Sequence, residues 1–205
     1  GTTCSSCPTA ASAAFTGNCL IVYLHGFNSS PQSHKAQVMQ RFMAERGLAH
    51  EYACPALPPL AGDAIKAVQP FLSKDCCFIG SSLGGFYASY LAEQHGLKAA
   101  LINPAIDPHI GLRAYLGAQK NLHTGERYQL TEAHLREWQR LYVPRITPGR
   151  YLLIVETGDE VLDYRRAVER YAGAEQIVVQ GGDHSLQSFP RHLPRIVEFA
   201  RAAAL

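Results

Sequence analysis

The chain of 205 residues contains no run approaching the ~18 apolar residues that a membrane-spanning helix needs, so no membrane span is expected. It also lacks an excess of either charge. Lys+Arg number 19 against 17 Asp+Glu, a formal net charge of +2. That balance gives no electrostatic ground for binding nucleic acid or an anionic membrane. The first 18 residues have neither a basic segment nor a continuous apolar stretch and read poorly as a secretory signal. They are expected to be an N-terminal arm outside the fold. No internal repeat is found, which excludes solenoids and propellers. Cys4 and Cys7 have the spacing of a zinc or redox pair, but no second Cys/His pair follows at suitable spacing and no strand–turn–helix frames them. Cys76 and Cys77 are adjacent and enter an apolar run, so they should pack as small hydrophobes. No metal or cofactor is expected, and a reducing cytoplasm is the default compartment.

What is present is an alternation. Short apolar runs at 20–24, 50–54, 76–79, 99–102, 151–155 and 176–179 are separated by amphipathic stretches. Most runs are continuously apolar, as in strands of a parallel sheet covered on both faces. Helices are expected over 33–46, 63–73, 84–95, 131–142 and 164–172 and at the C-terminal end, with Asp63, Thr131 and Asp163 as N-caps and Pro70 shortening its helix. Such alternation implies an α/β fold: a doubly wound, mostly parallel sheet of about six strands in one domain over 19–205. Ligands of these sheets bind outside the carboxyl ends of the strands. The interval 104–149 breaks the rhythm and reads as a helical, lid-like insertion. Its Leu112, Tyr115, Leu116, Trp138, Leu141 and Tyr142 offer apolar area, either for a substrate groove, where Trp138 and Tyr142 are the candidate binding residues, or simply for packing.

Gly80-Ser81-Ser82-Leu83-Gly84 follows the third run and precedes a helical pattern, the setting in which Gly-x-Ser-x-Gly marks a nucleophile. A serine hydroxyl lifted above a sheet sits on a strained turn whose neighbours two positions away must be small. This selects Ser82, not Ser81. A phosphate loop would need Gly-Lys-[Ser/Thr], which is absent. Of nine histidines, His184 in Gly181-Gly182-Asp183-His184-Ser185 lies just after a strand and suits a base for Ser82. Asp159, just past the fifth run, suits the acid that orients this imidazole. Glu160 is a weaker rival, and Asp163 is more simply a cap. The order Ser82, Asp159, His184 is that of α/β-hydrolases. An oxyanion would rest on the Leu83 N–H at the helix start and the Phe27 N–H in the turn His25-Gly26-Phe27-Asn28, with the Asn28 side chain as a helper and His25 bracing the loop.

These stretches together resemble the YqiA/YcfP-like group of small bacterial esterases in the α/β-hydrolase superfamily. The narrowest signal runs from His25 through Ser29-Ser30-Pro31 to Ser33-His34-Lys35-Ala36. The other matching stretches are Gly80 to Ala88, Asn103-Pro104-Ala105, Thr157 to Tyr164 and Gly181 to Ser185. The resemblance implies a cofactor-free esterase or thioesterase acting on acyl esters through Ser82, His184 and Asp159. Where that group often has Phe after the His-Ser pair, Leu186 stands here, which implies an altered pocket wall. The expected partner is a small acyl ester or thioester, with a homodimer left open. A serine peptidase or amidase, and a non-catalytic binding protein on the same fold, are the alternatives.

Overall fold

A computed structural model describes residues 19–202. Six parallel strands form the sheet: β1 (Leu20–Leu24), β2 (Tyr52–Ala53), β3 (Cys76–Ser81), β4 (Lys98–Ile102), β7 (Tyr151–Glu156) and β8 (Glu175–Val179). Their spatial order is β2-β1-β3-β4-β7-β8. Alternate residues of each strand enter opposite core layers. Val22 and Leu24 of β1 face one layer, and Ile21 and Tyr23 the other. Both faces are therefore dry, which is why the strands read as unbroken apolar runs.

α1 (His34–Ala44) and α7 (Phe189–Arg201) cover one face. α2 (Ala61–Val68), α3 (Leu83–His95) and α6 (Tyr164–Arg170) cover the other. Winding reverses between β1 and β3, so the crevice of this doubly wound sheet opens at their carboxyl ends. The buried Cys76 and Cys77 thiols enter opposite layers as small apolar groups. Cys4 and Cys7 lie outside the described residues. Among the described residues no helix is long and apolar enough to cross a membrane.

Several elements differ from the sequence reading. The helix expected over 63–73 spans Ala61–Val68. Leu60 is its N-cap, and Asp63 sits in the first turn, paired with Lys66 at 2.9 Å. Pro70 cannot continue the ladder, so a short 3₁₀ turn, Gln69–Phe71, follows. The run at 50–54 yields only two strand residues, because a 3₁₀ turn occupies Ala49–Glu51 and the buried Glu51 carboxylate pairs with Arg201. The interval 104–149 is not purely helical. It contains α4 (Pro108–Gly111), an antiparallel hairpin of β5 (Gly117–Lys120) and β6 (Arg127–Leu130), and α5 (Glu132–Arg140) under a Thr131 capping box.

Candidate active site

β3 delivers the chain into a tight turn and α3 leaves it. Ser82 sits between them at φ 54°, ψ −120°, a conformation an L-residue adopts only when its surroundings enforce it. The Ser82 N–H donates to the Ile102 carbonyl at 3.0 Å, and its carbonyl accepts from Gly85 and Ala105. A Cβ at Gly84 would overlap the Leu24 carbonyl, and one at Gly80 would overlap the Gly84 backbone. The two small residues of the motif are thus required by backbone approach on either side of the turn. The neighbouring Ser81 is buried, and its side chain meets the Tyr23 phenol.

The segment after β8 brings His184 over this turn. His184 Nε2 lies 3.1 Å from Ser82 Oγ, and Nδ1 lies 2.8 Å from Asp159 Oδ2. The Asp159 side chain is 1% exposed and that of His184 21%. The second carboxylate oxygen, Asp159 Oδ1, accepts the Val161 and Leu162 N–H groups at 2.9 and 2.8 Å. Burial pushes the Asp159 carboxyl up. The His184 hydrogen bond and those two amides outweigh it, holding the group below the usual carboxylate range. Glu160 accepts the His184 backbone N–H at 3.0 Å, and Asp163 caps α6 through the Arg165 N–H at 3.0 Å. Neither of these two carboxylates takes the place beside the imidazole.

The Leu83 N–H opens α3, and the Phe27 N–H lies in the loop after β1. Among the described residues neither has a protein acceptor. Gly26 lets that loop close on the serine, since a Cβ there would lie 3.2 Å from Ser82 Cβ. His25 is buried and braces the loop. Its Nε2 accepts the Leu57 N–H at 3.0 Å, so Nδ1 carries the proton toward the Gly26 carbonyl at 3.2 Å. Burial holds the His25 imidazole below its usual pKa, which matches this neutral tautomer.

The Asn28 side chain does not point to the serine. It donates to Gln119 Oε1 at 3.0 Å and accepts from the Tyr128 hydroxyl at 2.8 Å. Asn121 Nδ2 donates to the Ser29 carbonyl at 2.7 Å, and the Leu122 N–H to the Asn28 carbonyl at 3.0 Å. The hairpin therefore clasps the loop that carries the Phe27 amide.

Beside Ser82 and His184 opens a cleft of about 320 Å³ with walls from Phe27, Ile106, Pro108, Leu112, Tyr115 and Leu162. The Asp107–Arg166 ion pair also borders it. Trp138 and Tyr142, expected as substrate contacts, are not in its lining. Trp138 is fully buried, donating to the Tyr87 hydroxyl at 2.7 Å and standing edge-on behind Phe27. Tyr142 lies under the Arg170 guanidinium in a separate recess with Phe86 and Tyr171. Trp138 packs in the core layer between insertion and sheet, whereas Tyr142 is an exposed side chain. Leu186 is not in the cleft lining either. It is buried at φ 53° in the core layer of α1 and α7.

Two residues at the site were not singled out from the sequence. Glu156, the last residue of β7, and Asn103, just after β4, are buried polar groups that bond to the His184 segment. In space the glycine pair before Asp183 makes room for Glu156, since a Cβ at Gly182 would overlap its carboxylate. Among the described residues no group of three or more His, Cys, Asp or Glu side chains is gathered to hold a metal ion.

A family model described as an uncharacterised protein family, UPF0227, matches residues 20–201. The chain belongs to the UPF0227 family. The match covers the stretch that resembles the YqiA/YcfP-like group. A UPF0227 relative from Serratia proteamaculans is 27% identical over 186 residues, covering 88% of this chain and 98% of its own length. One from Pasteurella multocida is 26% identical over 188 residues, covering 88% of this chain and 98% of itself. Among solved structures, mouse alpha/beta hydrolase domain-containing protein 10 superposes with a TM-score of 0.65 at 17% identity, covering 87% of each chain. An esterase domain from Rhodothermus marinus gives 0.62 at 18% identity, covering 89% of this chain and 86% of its own. This UPF0227 chain therefore has the α/β-hydrolase fold.

Proposed function

We propose that this protein is a serine hydrolase that cleaves acyl esters or thioesters through Ser82, His184 and Asp159. The observation that carries the reading is the pair of contacts at His184, 3.1 Å to Ser82 Oγ and 2.8 Å to Asp159 Oδ2, on a serine held at positive φ. The esterases among the structural neighbours agree with it. His184 Nε2 takes the Ser82 proton as Oγ attacks the acyl carbonyl. Asp159 holds the imidazole in the tautomer that leaves Nε2 free, and it balances the imidazolium that forms. The Leu83 and Phe27 amides receive the developing oxyanion, at a helix N-terminus where the dipole favours negative charge. His184 then protonates the departing alcohol or thiol, and water repeats the cycle on the acyl-enzyme. The acyl group lies in the apolar cleft beside Ser82.

The test is Ser82→Ala on a panel of p-nitrophenyl esters, thioesters and peptide substrates. A loss of about 10⁴-fold or more is expected on the ester or thioester arm. Ser81→Ala should keep most of the activity. Wild-type turnover in Ser82→Ala rules the mechanism out, and cleavage confined to the peptide arm replaces the ester reading with a peptidase.

A further inference from the structure

Among the described residues the imidazole of His184 makes two side-chain hydrogen bonds, so its placement depends on how the 183–188 segment is held. Glu156 carries a carboxylate that is 1% exposed, in a place where burial of a charge is costly. Among the described residues its hydrogen-bond partners all belong to that one segment. Glu156 Oε2 accepts the Asp183 and Gln187 N–H groups at 2.9 and 3.0 Å, and Oε1 accepts the Ser188 N–H at 2.8 Å. From the other side, Asn103 Nδ2 donates to the Asp183 and His184 carbonyls at 3.1 and 3.2 Å. The two anchors are joined, since Asn103 Oδ1 accepts the Glu156 N–H at 3.0 Å. Asn103 reaches this position at φ 40°, a left-handed conformation that costs energy for a non-glycine residue. Gly182, exposed and at φ 72°, leaves the room into which the Glu156 carboxylate fits.

A carboxylate that served only the core would be replaceable by an apolar residue at the end of a buried strand. Here, among the described residues, its hydrogen bonds go to the segment on both sides of His184, the Ser188 side chain included. We propose that Glu156 and Asn103 are positioning residues, a buried carboxylate–amide clamp that fixes the backbone around His184 and so sets the distance from its imidazole to Ser82. This rests on the hydrolase reading above. Misplacement of a reacting group by an ångström can cost about 10²-fold in rate.

The experiment compares Glu156→Gln and Gly182→Ala with wild type. Gly182→Ala lies in an exposed loop and pushes a methyl group against an intact Glu156, so it tests the clamp where Glu156→Gln fails to fold. Turnover of a p-nitrophenyl ester is measured per site titrated with a serine-directed phosphonate, so that misfolded protein is not counted. Both variants should lose about 10- to 100-fold in kcat with KM changed less than about 3-fold. The downfield proton resonance of the His184 Nδ1–H bound to Asp159 should broaden or vanish in both. Glu51→Gln, which alters a buried carboxylate far along the chain from the site, should lower thermal stability and leave the per-site rate and that resonance unchanged. Wild-type per-site kcat and an intact resonance in both clamp variants overturn the proposal. If Ser82→Ala is inactive in the same assay, the hydrolase reading survives that outcome. If Ser82→Ala is active, the hydrolase reading is what has failed.

Discussion

Asp159 and Asp163 lie four residues apart and do different work. The first accepts from the His184 imidazole and two backbone amides, and the second caps α6. Asp159→Asn should therefore cut kcat by about 10³–10⁴-fold, because an amide facing Nδ1 favours the wrong tautomer. Asp163→Ala should cost about 0.5–2 kcal/mol of stability and leave the rate per folded molecule unchanged. Steady-state kinetics beside urea unfolding separates the two, and the reverse ranking would move the acid role to Asp163. The triad candidates were legible in the sequence because each follows a strand and sits among residues with a local job: Gly80 and Gly84 beside Ser82, the turn after β7 for Asp159, the glycine pair before His184. Glu156 was not legible. It ends an apolar run, and nothing in a linear string shows that a loop 27 residues later closes over it.

The hairpin gives the insertion a purpose that its composition hid. β5 and β6 are short, polar and half-exposed, and the turn between them has no Asn-Gly signal, so the hydrophobic periodicity that exposes buried strands had nothing to register. Its hydrogen bonds to Asn28 and Ser29 hold the loop that presents the Phe27 amide. Tyr128→Phe removes the bond to Asn28 Oδ1, a change worth about 0.5–1.5 kcal/mol. If the hairpin steadies an oxyanion donor, kcat should fall roughly 2- to 10-fold with KM nearly constant. An unchanged kcat would reduce the hairpin to packing. The expected helix over 63–73 failed for a local reason, since Pro70 ends it early, whereas the cap at Asp163 could be read directly from its neighbours.

Across the molecule, the sheet's two dry faces explain why strand positions and winding could be read from apolar runs alone, while the insertion's contacts could not. Trp138 is the clearest case. An aromatic on an amphipathic helix suits a groove or a core equally well in sequence, and the structure buries it completely. Trp138→Ala should destabilise by about 3–5 kcal/mol. Acyl-chain preference should change little, the reverse of what a groove residue would give. Acid stability draws on two depressed carboxyls at the site, Asp159 and Glu156, beside a third at Glu93. Burial raises both Asp159 and Glu156, but hydrogen bonds outweigh it and hold each below the ordinary range. Their contribution to stability is fully present above the unfolded carboxylate values near ~4 and is lost as pH falls through the lower folded values. The urea midpoint should therefore drop below pH 4, and Glu156→Gln should flatten that drop.

The proposed mechanism makes Ser82 a nucleophile activated by His184. Mass spectrometry of the intact protein and its peptides after treatment with a serine-directed fluorophosphonate tests it most directly. One phosphonyl group per chain is expected, mapped to Ser82 and absent from both Ser82→Ala and His184→Ala after the same brief exposure. A chain that stays unmodified, or a label that falls on another serine, contradicts it.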